Sequence, residues 1–214
     1  MPEHHVALAH HFDDLDQQYE ASSLGMWVFL LTEIMFFGGL FAGYTVYRTA
    51  YPVAFAEGSH HLDLVLGSIN TAVLISSSLT MALAVHAAQV GQRKVLVAFL
   101  GFTMLLGTVF LGIKGVEYMH KFTEHLFPGS RFAYEGANAG QVQLFFSFYI
   151  GMTAIHALHM VIGLGLLTAL VLGAWRGRFS PTYYAPVEIV GLYWHFVDMV
   201  WIFLFPLLYL LGRH

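Results

Sequence analysis

The 214-residue sequence contains no cysteine. That absence rules out disulfides, iron–sulfur clusters, thiolate ligation of haem and copper sites built on bridging cysteines. Any redox metal held by this chain would need histidine or carboxylate ligands. Charge is almost as scarce, at 10% of residues, and the mean hydropathy of +0.66 is too high for a water-soluble domain of this length. A formal net charge of −4 and a pI near 6.3 leave no basic surface for nucleic acid. The first residues, MPEHHVALAHHFDDLDQQYEASS, lack both a Lys/Arg-rich start and an uninterrupted apolar core, so they do not read as a cleaved signal.

What the chain has instead is length of apolar run. Five stretches each exceed the ~20 apolar residues that cross a bilayer as a helix. They cover residues 22–47, 64–89, 95–120, 141–175 and 186–212. The expected fold class is therefore all-α, a polytopic membrane bundle of five transmembrane helices filling residues 22–214. Residues 1–21 read as an acidic, His-rich tail in water or lying at the membrane interface, in which His4, His5, His10 and His11 are either metal ligands or solvated side chains. Gly39 and Gly43 form a G-x-x-x-G step that would let another helix come close, and Asn70, Thr71, Ser76, Ser77, Ser78 and Thr80 make a polar seam for helix packing. Residues 54–63 read as a loop. Arg93, Lys94, Arg176 and Arg178 fall in short loops on the side of the N-terminus, and Arg48, Lys121, Arg131 and Arg213 fall on the other side. Weighting the short loops places the N-terminus in the cytoplasm and the C-terminus outside.

The ionisable groups inside the spans carry the functional question. A charge at the bilayer centre costs at least ~2.5–3.5 kcal/mol on insertion scales, so such groups should face protein. In the last span Glu188, His195 and Asp198 share one helical face; in the fourth, His156 and His159 are one turn apart. Three readings compete. The histidines could ligate haem, as in a b-type membrane cytochrome. The carboxylates and histidines could line a proton or ion path of a transporter. Or the five groups satisfy one another as a structural polar network, the reading the residues alone favour. Lys114, Glu117 and Lys121 are spaced to pair along one face near a helix end. Glu33 has no partner on its own helix and is flanked by Ile34, Met35, Phe36 and Phe37, which makes it the best single candidate for reactivity or proton handling; the equal alternative is a neutral acid donating a hydrogen bond to a neighbouring helix.

Several of these stretches also resemble a known family. Gly191–Phe205, GLYWHFVDMVWIFLF, is similar to the W-Y-W-H-F-V-D-x-x-W signature of subunit III of haem–copper cytochrome c oxidases. Gly151–Gly163, GMTAIHALHMVIG, resembles its G-x-H-x-x-H-V-x-x-G region, and Gly25–Phe37, GMWVFLLTEIMFF, resembles its G-M-x-L-F-I-x-S-E-x-x-F-F. Leu66–Leu74, the Gly91–Lys94 turn and the Glu117-Tyr118 pair also fit, so the likeness runs from Ser22 to Gly212.

The resemblance implies an accessory subunit of a proton-pumping terminal oxidase, itself without catalytic residues, cofactor or metal. Haem and copper would sit in partner chains, with catalytic subunit I in direct contact and subunit II in the same complex. It implies bound phospholipid, a bacterial plasma-membrane location and, for Glu33, the role of a buried carboxylate near a lipid cleft that supports proton uptake. His156, His159, Glu188, His195 and Asp198 would then belong to the packing core. The chain departs from the seven-span mitochondrial form by lacking two spans, and with them one wall of that cleft. Five-span subunits of quinol oxidases and chains associated with nitric oxide reductases are the alternative relatives.

Overall fold

The computed structural model describes residues 12–129, 132–134 and 136–212. Among them the order is six α-helices followed by a short π-helical turn: α1 Leu15–Ala50, α2 Pro52–His60, α3 Leu64–Gln89, α4 Arg93–Thr123, α5 Ala139–Trp175, α6 Ala185–Phe205, then the turn Pro206–Leu210. Five are long and apolar enough to span a membrane, with α6 and the turn counting together as the fifth. No strand occurs among the described residues, and the architecture is the expected all-α bundle.

Local chemistry accounts for the ends. α1 starts at Leu15 because the Asp14 side chain accepts the Gln17 amide at 2.7 Å, capping a polar first turn ahead of the apolar run. Its 36 residues reach ~54 Å at 1.5 Å per residue, well beyond ~30 Å of hydrocarbon, so one end protrudes. Asp63 caps α3 through the Val65 and Leu66 amides at 2.9 and 3.0 Å. Gly91 and Gly177, both at φ 73°, end α3 and α5 in the left-handed conformation open to glycine.

Residues 54–63, expected as a loop, are largely helical in α2. Pro52 opens that helix, where its missing N–H is not needed. Ala54, Phe55, Gly58 and Ser59 then form one buried face, with the Phe55 and Phe145 rings 5.6 Å apart at the start of α5. Too short to register as a span, α2 is held by this tertiary contact rather than by its composition.

Helices α3, α4, α5 and α6 pack as successive neighbours in a closed ring, and α1 lies outside it, along α6 with a lighter contact to α5. Only Leu30, Phe37 and Tyr44 of α1 are buried. They recur every seven residues, so α1 touches the ring by a single narrow stripe and turns its other faces outward.

The ring closes around tryptophans of α6. Trp194 lies so near Gly107 of α4 and Gly163 of α5 that a Cβ added at either would stand 2.7 or 2.9 Å from the indole. Its Nε1 donates to Ser77 Oγ on α3 at 2.9 Å, and Trp201 Nε1 donates to Thr71 Oγ1 at 3.0 Å. The polar seam of α3 thus serves packing against α6, and it also bonds to α4 through Thr80 and Thr103, 2.8 Å apart. The glycine step on α1 does not behave as expected. A Cβ at Gly39 would meet nothing within 4 Å, and one at Gly43 would make only an ordinary 3.6 Å contact with Phe148. The close helix approaches lie at Gly107 and Gly163 instead, where an indole and not a backbone fills the space.

Candidate functional site

The structure distributes the intramembrane ionisable groups over separate places and does not gather them into one network. Glu33, on α1, reaches α5, where its Oε2 lies 3.2 Å from His159 Nε2. Both side chains are mostly enclosed, at 19% and 14% exposure. His159 Nδ1 lies 2.9 Å from the carbonyl of Ile155, an atom that only accepts, so Nδ1 carries a proton. With that single ring proton, Nε2 and Glu33 Oε2 are both acceptors, and Oε2 is buried with no donor. The contact becomes a hydrogen bond only when one further proton lies between them, on the acid or on the imidazole. Phe37 packs on the same ring with centroids 5.4 Å apart, one helical turn beyond Glu33. The pair stands at the junction of α1 with the ring.

The second place is deeper. Lys114 and Glu117, one turn apart on α4, are 4% and 2% exposed, and Nζ sits 2.9 Å from Oε2. Tyr149 of α5 donates to Glu117 Oε1 at 2.9 Å, and Tyr209 of the π-helical turn donates to the same oxygen at 2.5 Å. Lys114 in turn donates to Tyr209 at 2.8 Å and reaches Tyr149 at 3.3 Å. Its ammonium also lies 4.8 Å from the Trp201 ring centroid and 5.1 Å from that of Tyr149. A buried ion pair is tolerable only when further hydrogen bonds satisfy what the pair leaves over, and the two phenols do this. Lys114 does not extend toward the headgroups as a helix-end lysine would. Lys121, expected to share Glu117, pairs with Glu124 at 2.6 Å because Glu117 is already turned inward to Lys114. Tyr149 and Tyr209 were not legible as site residues: each reads as an aromatic core position. The one sequence cue was Pro206, which ends the regular helix four residues after Ile202 and re-aims Tyr209 through the turn.

The remaining groups stand apart. His156 is enclosed, with its ring 5.5 Å from Phe110 and 5.4 Å from Trp201, and neither ring nitrogen has a hydrogen-bond partner. His195 is bonded through Nδ1 to Ser78 Oγ of α3 at 2.7 Å. Asp198, one turn along, is buried; its nearest polar neighbour is the Ser78 hydroxyl, within hydrogen-bonding reach but not in good hydrogen-bond geometry with either carboxyl oxygen. Glu188 is in the first turn of α6 and accepts from Tyr19 of α1 at 3.1 Å, which ties the two helix ends together. Thus His156 and His159 do not contact Glu188, His195 or Asp198. Residues one turn apart on α5 point to different neighbours because the ring geometry sends His156 to the centre and His159 to α1.

No group of three or more His, Asp or Glu side chains converges in metal-binding geometry among the described residues. His4, His5, His10 and His11 lie outside the described residues. Between α1 and α6 runs an apolar groove of about 230 Å³, lined among others by Ile34, Phe37, Phe41, Phe196 and Phe203, beginning one residue from Glu33.

The family described as cytochrome c oxidase subunit III matches residues 16–213. The chain is 36% identical to cytochrome c oxidase subunit 3 of Synechocystis sp., over 87% of this chain and 74% of the relative. It is 35% identical to the corresponding subunit of Corynebacterium diphtheriae, over 87% and 86%. Cytochrome bo(3) ubiquinol oxidase subunit 3 of Pseudomonas aeruginosa is 30% identical over 97% of this chain and 95% of that one.

Proposed function

We propose that this chain, which belongs to the cytochrome c oxidase subunit III family, is the accessory subunit of a proton-pumping respiratory terminal oxidase and carries no electron itself. It packs in the membrane beside the catalytic subunit I, with subunit II in the same complex, and haem and copper reside in those partners. The observation that carries this reading is that each of the three histidines within α5 and α6 has its own surroundings. His156 lies between aromatic rings, His159 faces Glu33 and His195 bonds Ser78, so no two aim at a shared point where a haem iron would sit.

Within that role, Glu33 and His159 form the proton-holding element that supports proton uptake by the partner, and the groove beside them takes a phospholipid acyl chain. The groove suits a lipid tail because its lining is apolar throughout and it opens toward the outward-facing side of α1. Lys114, Glu117, Tyr149 and Tyr209 set the register of α4, α5 and α6.

The chain lies in the bacterial plasma membrane with its N-terminus in the cytoplasm and its C-terminus outside. Two contacts support one basic end: Arg93 donates to the Ala174 carbonyl at 2.8 Å, which puts the α3–α4 and α5–α6 turns side by side, and Tyr19 with Glu188 brings the start of α1 there too. Lys94, Arg176 and Arg178 stand in the same turns, as a cytoplasmic end requires.

Capture of the tagged chain from membranes in mild detergent tests the reading. A haem-bearing partner should come with it, together with a chain whose cysteine pair binds copper. Cytochrome c is the proposed electron donor. A captured partner without that cysteine pair favours quinol, a second reading supported by the likeness along nearly the whole length of the ubiquinol oxidase subunit.

A further inference from the structure

Where α3 and α6 meet on the outside of the ring, a cavity of about 260 Å³ opens outward, with Ser78, His195 and Asp198 in its lining and Ile75, Leu79 and Ile202 around them. Asp198 is the fourteenth residue of a span that runs Ala185–Leu210, so the cavity lies near mid-membrane depth. Three polar groups here form a line from inside to outside. The Asp198 carboxyl is enclosed with both oxygens unpartnered. Ser78 stands between, bonded to His195 Nδ1 at 2.7 Å. His195 is only half-buried, and no group among the described residues bonds its Nε2.

Hydrocarbon cannot hydrogen-bond an imidazole nitrogen, and a polar atom left bare at this depth is strongly unfavourable. By contrast, the surrounding residues are large, apolar and outward-facing: Ile75 is 53% exposed and Leu79 62%. A polar centre inside an apolar rim is how a buried contact between transmembrane helices is built, the rim excluding lipid and the centre fixing register. A lipid headgroup does not reach mid-membrane, and an acyl tail has nothing to offer Nε2.

The geometry points to the α3–α6 face as the surface on which a transmembrane helix of a partner oxidase subunit docks, presenting a hydroxyl, carboxamide or carboxyl side chain to His195 Nε2. This rests on the accessory-subunit reading and adds to it which face of the bundle the partner covers. On α4, Leu105 is 57% exposed and is not part of this cavity's lining, so it serves as the control position.

The test uses the intact complex captured through this chain, with a photoreactive benzophenone amino acid placed singly at Ile75, Leu79, Ile202 or Leu105. Irradiation should join the chain to an oxidase subunit from the first three positions and not from Leu105. In parallel, His195→Leu should lower the partner recovered in detergent at least tenfold, while His195→Gln, which keeps a hydrogen-bonding side chain, retains most of it. Cross-links from Leu105 but not from the α3–α6 positions overturn the proposal, as do cross-links from those positions to a second copy of this chain or to lipid alone. In those cases the captured complex still stands and only the docking face is wrong. Failure of the unmodified chain to capture any oxidase subunit removes the accessory-subunit reading, and the docking proposal with it.

Discussion

Glu33 of α1 and His159 of α5 meet at 3.2 Å with one hydrogen-bond position too few, because the other ring nitrogen already donates to the Ile155 carbonyl. One proton closes the gap. The contact also joins α1, the most loosely attached span, to the ring, so the pair proposed to hold a proton is also a point of attachment for α1.

Glu33→Gln separates these roles. A carboxamide N–H can donate to His159 Nε2, so the α1–α5 contact survives without an exchangeable acid. Assembly and haem content of the complex should match the unsubstituted protein, with proton uptake lowered less than tenfold. Glu33→Leu removes the donor altogether and should reduce assembly. Equal loss of assembly in both variants would show that the carboxyl acts in packing alone. Quantifying haem per captured complex and following proton uptake with a pH dye distinguish the outcomes.

The Lys114–Glu117 pair makes a stability prediction. Lys114→Met leaves Glu117 buried with two phenols and no cation, and breaking a buried pair from one side costs about 3–5 kcal/mol. Lys114→Met combined with Glu117→Leu should recover at least half of that loss, since replacing both charges by apolar groups of similar size is often close to neutral. Thermal unfolding of the detergent-solubilised chain measures both. A double variant as unstable as the single one would contradict the arrangement described.

Tyr209→Phe deletes one hydroxyl that donates to Glu117 and accepts from Lys114. A hydrogen bond to a charged group contributes about 1.5–3 kcal/mol, and the loss should fall in that range. Tyr47→Phe, at an outward-facing position on α1, should change stability by less than about 0.5 kcal/mol.

Glycine substitutions distinguish filled from open space. Gly163→Ala puts a methyl 2.9 Å from the Trp194 ring and should destabilise by about 1–3 kcal/mol, with a shift in tryptophan emission. Gly39→Ala meets nothing within 4 Å and should not destabilise. The reverse order would mean that α1, not Trp194, makes the close approach.

The five spans were legible because each is a long apolar run, and length with apolarity is the whole of the signal. The start of α1 at Leu15 rests on the Asp14 cap, a single side-chain contact ahead of the hydrophobic stretch. α2 was not legible because nine residues held by the contact of Phe55 with Phe145 leave no periodic run to detect. For the site, the ionisable residues could be picked out, but not their partners. Glu33 has no complement on its own helix, and its contact depends on α5 turning His159 toward α1 while His156 turns inward. Lys114 and Glu117 read as a helix-end pair until the phenols of Tyr149 and Tyr209, 32 and 92 residues from Glu117, close over them. Such long-range convergence is set by helix rotation in the ring, which local spacing does not encode.

The proposed role is that of a membrane subunit that assembles with an oxidase while carrying no electron centre of its own. Its most direct test is haem stoichiometry after separation. The captured complex is split in stronger detergent, and haem absorbance near the Soret region is measured against protein in the fraction holding this chain alone. Full haem absorbance is expected in the partner fraction and none above background with this chain. One haem per copy of this chain, retained through separation and lost on substitution of His156 or His195, would contradict it.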